Sequence, residues 1–350
     1  MKELFNRYSS AIIAMVLPYL FIMFVLLFPI PYLINSPGGL TEVEDLITIE
    51  YNLDKEIEGT ISTTYVVSIK RPTYFQFMLA TFSPYNNISA LTGSNLTYTN
   101  QEIQAISYLD KATSVNAAVI VAFEKASEIN TEVSIQYERK VLVYGKAEYL
   151  DHYDEINFGD EFVQIVGDSD YIITDISEAG TYTTQNLEYD WTFIDEDGEE
   201  YIVSLSKDEE EEKFGVTLKT YYIVDQEDTF PKYQESNSSI GGPSGGLLQT
   251  LSIYNMLVNE DLTKGLKIAG TGTINYDGSV GYIGATEQKI LTAYLNHVDI
   301  FFIPNLDDEY YYDNYQEALR ACEEHGIDPT GWLIPVASFQ DALDYLEGLS

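Results

Sequence analysis

The sequence predicts an α+β protein of several domains. An N-terminal transmembrane helix (1–35) leads into a β-rich segment with a helix (36–137), a second β-rich domain (138–224) and a C-terminal α/β domain (225–350). Three observations carry this expectation. One long apolar run stands at the N-terminus. The middle is dense in β-branched and aromatic residues punctuated by Gly-containing turns, as strands are. In the last third, strand-like and helix-like patterns alternate. A chain of 350 residues accommodates two or three domains, and 45% hydrophobic residues supply their cores.

Ala11 to Ile34 is apolar apart from tyrosines, prolines and small residues. As one helix it would span about 36 Å, enough for a hydrocarbon layer of ~30 Å. Lys2 and Arg7 precede it. Glu42, Glu44 and Asp45 follow before the next basic residue, Lys55. The excess of positive charge ahead of the run puts the N-terminus in the cytoplasm and the rest outside, as a single-pass protein of the cell membrane. Pro18, Pro29 and Pro31 kink or end the helix. A cleaved signal peptide is the alternative, but the apolar run is long for one and no A-x-A site follows.

Pro37-Gly38-Gly39 reads as a stiff turn leaving the membrane, and Thr60–Ser68 as a strand. A helix from Gln101 to about Ile129 carries an apolar stripe of Val115, Val119, Ala122 and Ala126, with Phe123 beside it. This stretch reads as a membrane-proximal spacer without chemistry of its own. Next come Ile156–Gly167, with Gly159-Asp160 before alternating apolar residues, and Thr192–Ser204, a hairpin with its turn at Asp197-Gly198. Together these resemble a PDZ domain. The resemblance implies peptide binding by addition of a strand to a sheet edge, near Val141–Gly145, with Leu142, Val143 and Tyr144 as the contacting residues. Asp208–Glu212 is a solvated acidic run that lacks the ligand spacing of a calcium site.

The richest stretch is Ile240–Leu248, where Ser244 sits among four glycines and a proline. Leu247, Leu251, Tyr254 and Val258 then fall on one helical stripe, which places Ser244 at a helix N-terminus. Unpaired N–H groups and the helix dipole there favour developing negative charge. The bland reading is an N-cap serine after a flexible loop. A rival is the G-x-S-x-G elbow of α/β-hydrolases. That elbow needs an apolar strand before it, whereas Gln234–Ser239 is polar. It also needs a later histidine, for which His297 and His325 are available; His152 lies upstream and breaks the order.

Downstream follow Gly270-Thr-Gly-Thr-Ile274, Asn275-Tyr-Asp-Gly278, Val280-Gly281 and Ile283-Gly284 ahead of Lys289. With the loop around Ser244, this block from Gly241 to Lys289 resembles the proteolytic domain of the Lon family. The resemblance implies that Ser244 is the nucleophile and Lys289 its general base, with Gly242, Pro243 and Gly245 forming the oxyanion loop. Proline has no N–H, so its neighbours must donate. Two departures stand out: Gly245 occupies a position where alanine is expected, and Ala285 one where many relatives carry glycine. Physical chemistry supports the pairing. A serine hydroxyl needs a base, and lysine serves if burial lowers its pKa. Lys289 lies in an apolar context of Tyr282, Ile283, Ile290, Leu291 and Ala293.

Beyond it, His297–Pro304 reads as a buried strand and Asp313–His325 as a helix stopped by Gly326. Leu333–Pro335 is a short strand, and Ser338–Asp341 a capping box before a last helix lined by Ala342, Leu343 and Leu346. Tyr310, Tyr311 and Tyr312 read as surface residues within reach of a peptide.

A net charge of −38 argues against nucleic-acid binding, which needs clustered Lys and Arg. The single cysteine, Cys322, excludes an intramolecular disulfide and any multi-cysteine metal site. No Walker A pattern occurs, so the expected activity is ATP-independent and without cofactor or metal. The anchor, PDZ-like and Lon-type parts together resemble bacterial Lon-like proteases facing outside. That resemblance implies a serine endopeptidase acting on secreted peptides or exported and membrane proteins. It also allows a homo-oligomer, since Lon domains commonly form rings. A catalytically silent PDZ-type binding protein and an α/β-hydrolase esterase remain as alternatives.

Overall fold

A computed structural model describes residues 2–349 except 52, 54, 167–170, 237–241 and 307–312; for residues 2–13 and 94 the backbone alone is described. In chain order its first half holds α1 (Lys2–Leu27), β1 (Tyr32–Glu42), β2 (Ile47–Ile49), β3 (Thr60–Lys70), α2 (Tyr74–Ala80), β4 (Asn87–Ala90), α3 (Ser94–Thr97), α4 (Asn100–Ser127), β5 (Tyr137–Lys146), β6 (Glu161–Val166), β7 (Ile172–Ile173) and α5 (Ile176–Tyr182). The second half holds β8 (Glu188–Ile194), β9 (Glu200–Ser206), β10 (Val216–Val224), β11 (Tyr233–Glu235), α6 (Gly246–Leu257), β12 (Lys267–Gly270), β13 (Thr273–Ile274), β14 (Val280–Gly281), α7 (Thr286–Leu295), β15 (Ile300–Pro304), α8 (Asn314–His325), β16 (Leu333–Val336) and α9 (Phe339–Glu347).

Two sheets organise these elements. The main sheet is mixed, in the order β16-β15-β12-β3-β1-β4. β16, β15, β12 and β3 run parallel, while β3, β1 and β4 are antiparallel. The second is antiparallel, β10-β5-β6-β8-β9, with β7 beside β6. The fold is therefore α+β with one mixed sheet. β3 is rich in Thr, Val, Ile and Tyr, the residue types that suit a half-buried pleat. α4 starts at a reciprocal capping box between Thr99 and Glu102 and packs along α6. α6 is buried on nearly every side, its polar Gln249, Thr250, Ser252 and Asn255 included.

The structure corrects the sequence-based picture at several points. α1 ends at Leu27. Tyr32 to Ile34, counted above as part of a membrane span, belong to β1, where Ile34 is 2% exposed and pairs with Ile69 and Ile88. Among the described residues no helix is long and apolar enough to cross a membrane. The expected transmembrane helix and single-pass cell-membrane location are withdrawn on that ground.

Pro37-Gly38-Gly39 is no turn but a bulge inside β1, where the register shifts; a Cβ on Gly38 would stand 2.3 Å from the Tyr65 carbonyl oxygen. The stretch read as a spacer supplies β1, β3 and β4, half of the main sheet. Finally, Leu142, Val143 and Tyr144 lie inside β5, not on an edge. β10 occupies one side of that strand, and Asp160 and Gly159 take the Val143 N–H and carbonyl on the other. A peptide has no open edge there.

Candidate active site

The loop carrying Ser244 is held from two sides. The Gly242 N–H donates to the Ser107 carbonyl of α4 (3.3 Å), and the Ser114 hydroxyl of α4 donates to the Pro243 carbonyl (3.1 Å). From the end of β12, the Gly272 N–H (2.8 Å) and the Thr271 hydroxyl (3.0 Å) both donate to the Ser244 carbonyl. Gly242 takes φ +89°, a conformation that L side chains rarely adopt. Ser244 is half-buried, two residues before α6 begins.

The two departures from the family pattern have different physical meanings here. A Cβ on Gly245 would approach the Thr63 Cγ2 of β3 to 2.9 Å, so the branched threonine occupies the space an alanine methyl would need. Ala285 sits at φ +56°, ψ +43°, in the left-handed region where glycine is unstrained.

Ala285 opens α7, and Lys289 follows on its first turn. Lys289 is 3% exposed, and its Nζ donates to the Thr271 Oγ1 (2.9 Å). Burial alone pulls its pKa from the usual lysine range down to about 7. The Thr271 hydroxyl gives its one proton to the Ser244 carbonyl and accepts from Lys289, so it links the lysine to the serine backbone. The start of α7 is fixed in turn by buried Asn314 of α8. Its amide donates to the Ile283 carbonyl (2.9 Å) and the Thr286 hydroxyl (3.0 Å), and its oxygen accepts from the Ile283 N–H (3.0 Å).

Gly242, Pro243, Ser244, Gly245 and Lys289 all line one groove of about 780 Å³. Its floor is β3. β12 pairs with β3 only as far as Thr63, so from Thr64 to Lys70 that edge of β3 has no strand beside it among the described residues. Leu142, Val143 and Tyr144 do not line the groove. Neither do the histidines: His325 contacts Glu287 (3.0 Å), His152 contacts Glu155 (2.7 Å), and His297 takes φ +54° just past α7. Ile240, Gly241 and the cluster Tyr310, Tyr311 and Tyr312 lie outside the described residues. Among the described residues no cluster of His, Cys, Asp or Glu could hold a metal ion.

Sequence reasoning passed over Thr63, Thr271, Gln249 and Asn314. Thr271 had a signal, since it stands inside the Gly-Thr-Gly-Thr-Ile segment. Thr63 had none, because its contact with Gly245 spans the chain from β3 to α6.

No family model matches the chain. Two curated proteins are similar to part of it. A Lon protease of Malacoplasma penetrans (strain HF-2) is 30% identical over 109 residues, 31% of this chain and 13% of that protein. A Lon protease of Mesomycoplasma hyopneumoniae (strain 232) is 30% identical over 105 residues, 30% of this chain and 11% of that protein. The chain thus matches less than a seventh of the length of these relatives, and the similarity is to proteases at a coarse level.

Proposed function

We propose that this chain is a serine endopeptidase in which Ser244 is the nucleophile and Lys289 the general base. The carrying observation is a buried lysine, its pKa lowered to about 7, that shares a groove with Ser244 and is tied to it through Thr271. A neutral amine has a lone pair for the Ser244 proton, and one of its N–H groups is already committed to Thr271. Ser244 Oγ attacks the peptide carbonyl while Lys289 takes the proton. The N–H groups of Ser244 and Gly245, at the start of α6, receive the oxyanion. Lys289 then returns the proton to the leaving amine, and water hydrolyses the acyl-enzyme. The chemistry needs neither nucleotide nor metal. The open edge of β3 suits a substrate in extended conformation, which adds as a strand and presents its carbonyl to Ser244. Flexible or unfolded segments meet that requirement.

The test is Ser244-dependent cleavage of an unstructured peptide mixture, read by mass spectrometry. Wild-type protein yields new termini that Ser244→Ala and Lys289→Met do not. Cleavage surviving in Ser244→Ala would overturn the reading. The pH profile follows from the lysine. Above about 7 it is neutral and competent, so kcat/KM should fall as the pH drops through that value. Stability carries the same sign. The unfolded chain keeps this proton up to the ordinary lysine range and the folded chain only to about 7. Stability therefore rises with pH between the two, and Lys289→Met should flatten that rise.

A further inference from the structure

Acidic residues outnumber basic ones 56 to 18 in this chain, so a large cleft drawn from it at random would be lined by carboxylates. The groove at Ser244 departs from that expectation. Among the described residues lining it and its continuation between β3 and α4 there is no Asp or Glu, whereas Lys70, Lys111 and Lys289 all face it. Lys289 is committed to Thr271. The other two have no place in the proposed chemistry.

Lys111 shares one face of α4 with Ser107 and Ser114, the residues that grip the Ser244 loop, so it stands beside the reacting centre. Glu235 lies within electrostatic reach of it, a carboxyl that burial holds above the usual range. Lys70 is at the far end of β3, half-buried, and in no ion pair among the described residues. It ends the row Thr64, Val66, Ser68, Lys70, which alternation places on one face of the strand. Thr63 abuts Gly245, so Lys70 stands roughly 24 Å along the strand from the reacting centre, about seven residues of extended peptide. Gln249 lines the groove beside Thr63 and Gly245, with its amide nitrogen rather than its oxygen nearest Gly245.

We propose that the groove selects peptide segments carrying acidic side chains, read by Lys111 near the scissile bond and by Lys70 about seven residues away. The inference rests on the peptidase reading of the groove. The surrounding negative field repels an acidic segment everywhere else, so the lysines decide both where it docks and which segments are accepted.

The experiment uses the full chain and a set of unstructured peptides with one scissile centre. Glu, Gln or Lys is placed in turn at each of eight positions on either side. The expected result is a kcat/KM about tenfold higher for Glu than for Lys at two clusters of positions, one near the centre and one distal, with the difference shrinking at high salt. Lys111→Glu should invert the preference at the near cluster alone and Lys70→Glu at the distal cluster alone; Lys111→Gln and Lys70→Gln should abolish each without inverting it. Ser244-dependent cleavage that is indifferent to charge, or a preference that neither lysine variant moves, would overturn the inference. Binding of the same peptides to Ser244→Ala, read by fluorescence anisotropy, separates the two proposals. Acidic selectivity in binding with no cleavage by the wild type would sink the peptidase and leave the groove assignment standing.

Discussion

The main sheet with its groove and the second sheet differ in what they bury. The second sheet closes over an aromatic core of Phe162, Tyr189, Trp191, Phe193 and Phe214, whose rings meet edge-on, stacked or tilted. Packing of that kind supports stability and asks nothing of chemistry. Around the groove the buried set includes Thr250, Thr271, Thr286, Gln249, Lys289 and Asn314. Burying polar groups is costly unless each finds a partner, and most of these do, through helix carbonyls, one another or the Ser244 backbone. One region is built to be stable and the other to hold a few polar atoms in fixed relation. A mutation should therefore read out as stability in the first and as activity in the second.

The largest effect that would break this contrast is at the proposed Ser244–Lys289 dyad. Ser244→Ala and Lys289→Met should each lower kcat/KM by at least ~10³ while the circular dichroism spectrum is kept, because nucleophile and base act as a unit. If Lys289→Met instead unfolds the protein, the lysine is structural and the contrast fails. Phe193→Ala is the counterpart in the second sheet. It should cost about 3–5 kcal/mol in denaturant unfolding yet leave the turnover of the folded fraction unchanged. A smaller effect falls at the boundary between loop and sheet. Gly245→Ala puts a methyl against Thr63 and should lower activity about tenfold by displacing Ser244, and Thr63→Ser in the same chain should restore most of it. Smallest is Ala285→Gly, which relieves a left-handed alanine at the start of α7. It should raise the melting temperature by a few degrees, about 1 kcal/mol, with activity nearly unchanged.

What the sequence disclosed follows the range of the forces involved. The helix after Ser244, the Asp197-Gly198 turn, the stop at Gly326 and the capping box at Ser338 were legible because each depends on residues within one or two turns. The strand character of Thr60–Ser68 was equally plain, but its neighbours were not. A pleated pattern specifies which face is apolar and leaves open which strand lies alongside. β3 finds β12 some two hundred residues later, and nothing near either announces it. The same blindness made Val141–Gly145 look like an edge when two other strands flank it. At the N-terminus, hydropathy runs on through Ile34 because a buried strand and a membrane span draw on the same residues. Only pairing with Ile69 and Ile88 separates them. At Gly245 the reading stopped at "small", because the reason for glycine is a threonine on a distant strand.

The main sheet takes β1, β3 and β4 from the first ninety residues and β12, β15 and β16 from the last eighty or so, with the whole second sheet threaded between. A ribosome therefore releases the groove's floor long before Ser244 and Lys289. Until both have emerged the nascent chain has a platform with nothing mounted on it. Such long-range closure is slow compared with helix formation. Ser244 and Lys289 thus meet over β3 only after the aromatic unit has had time to fold.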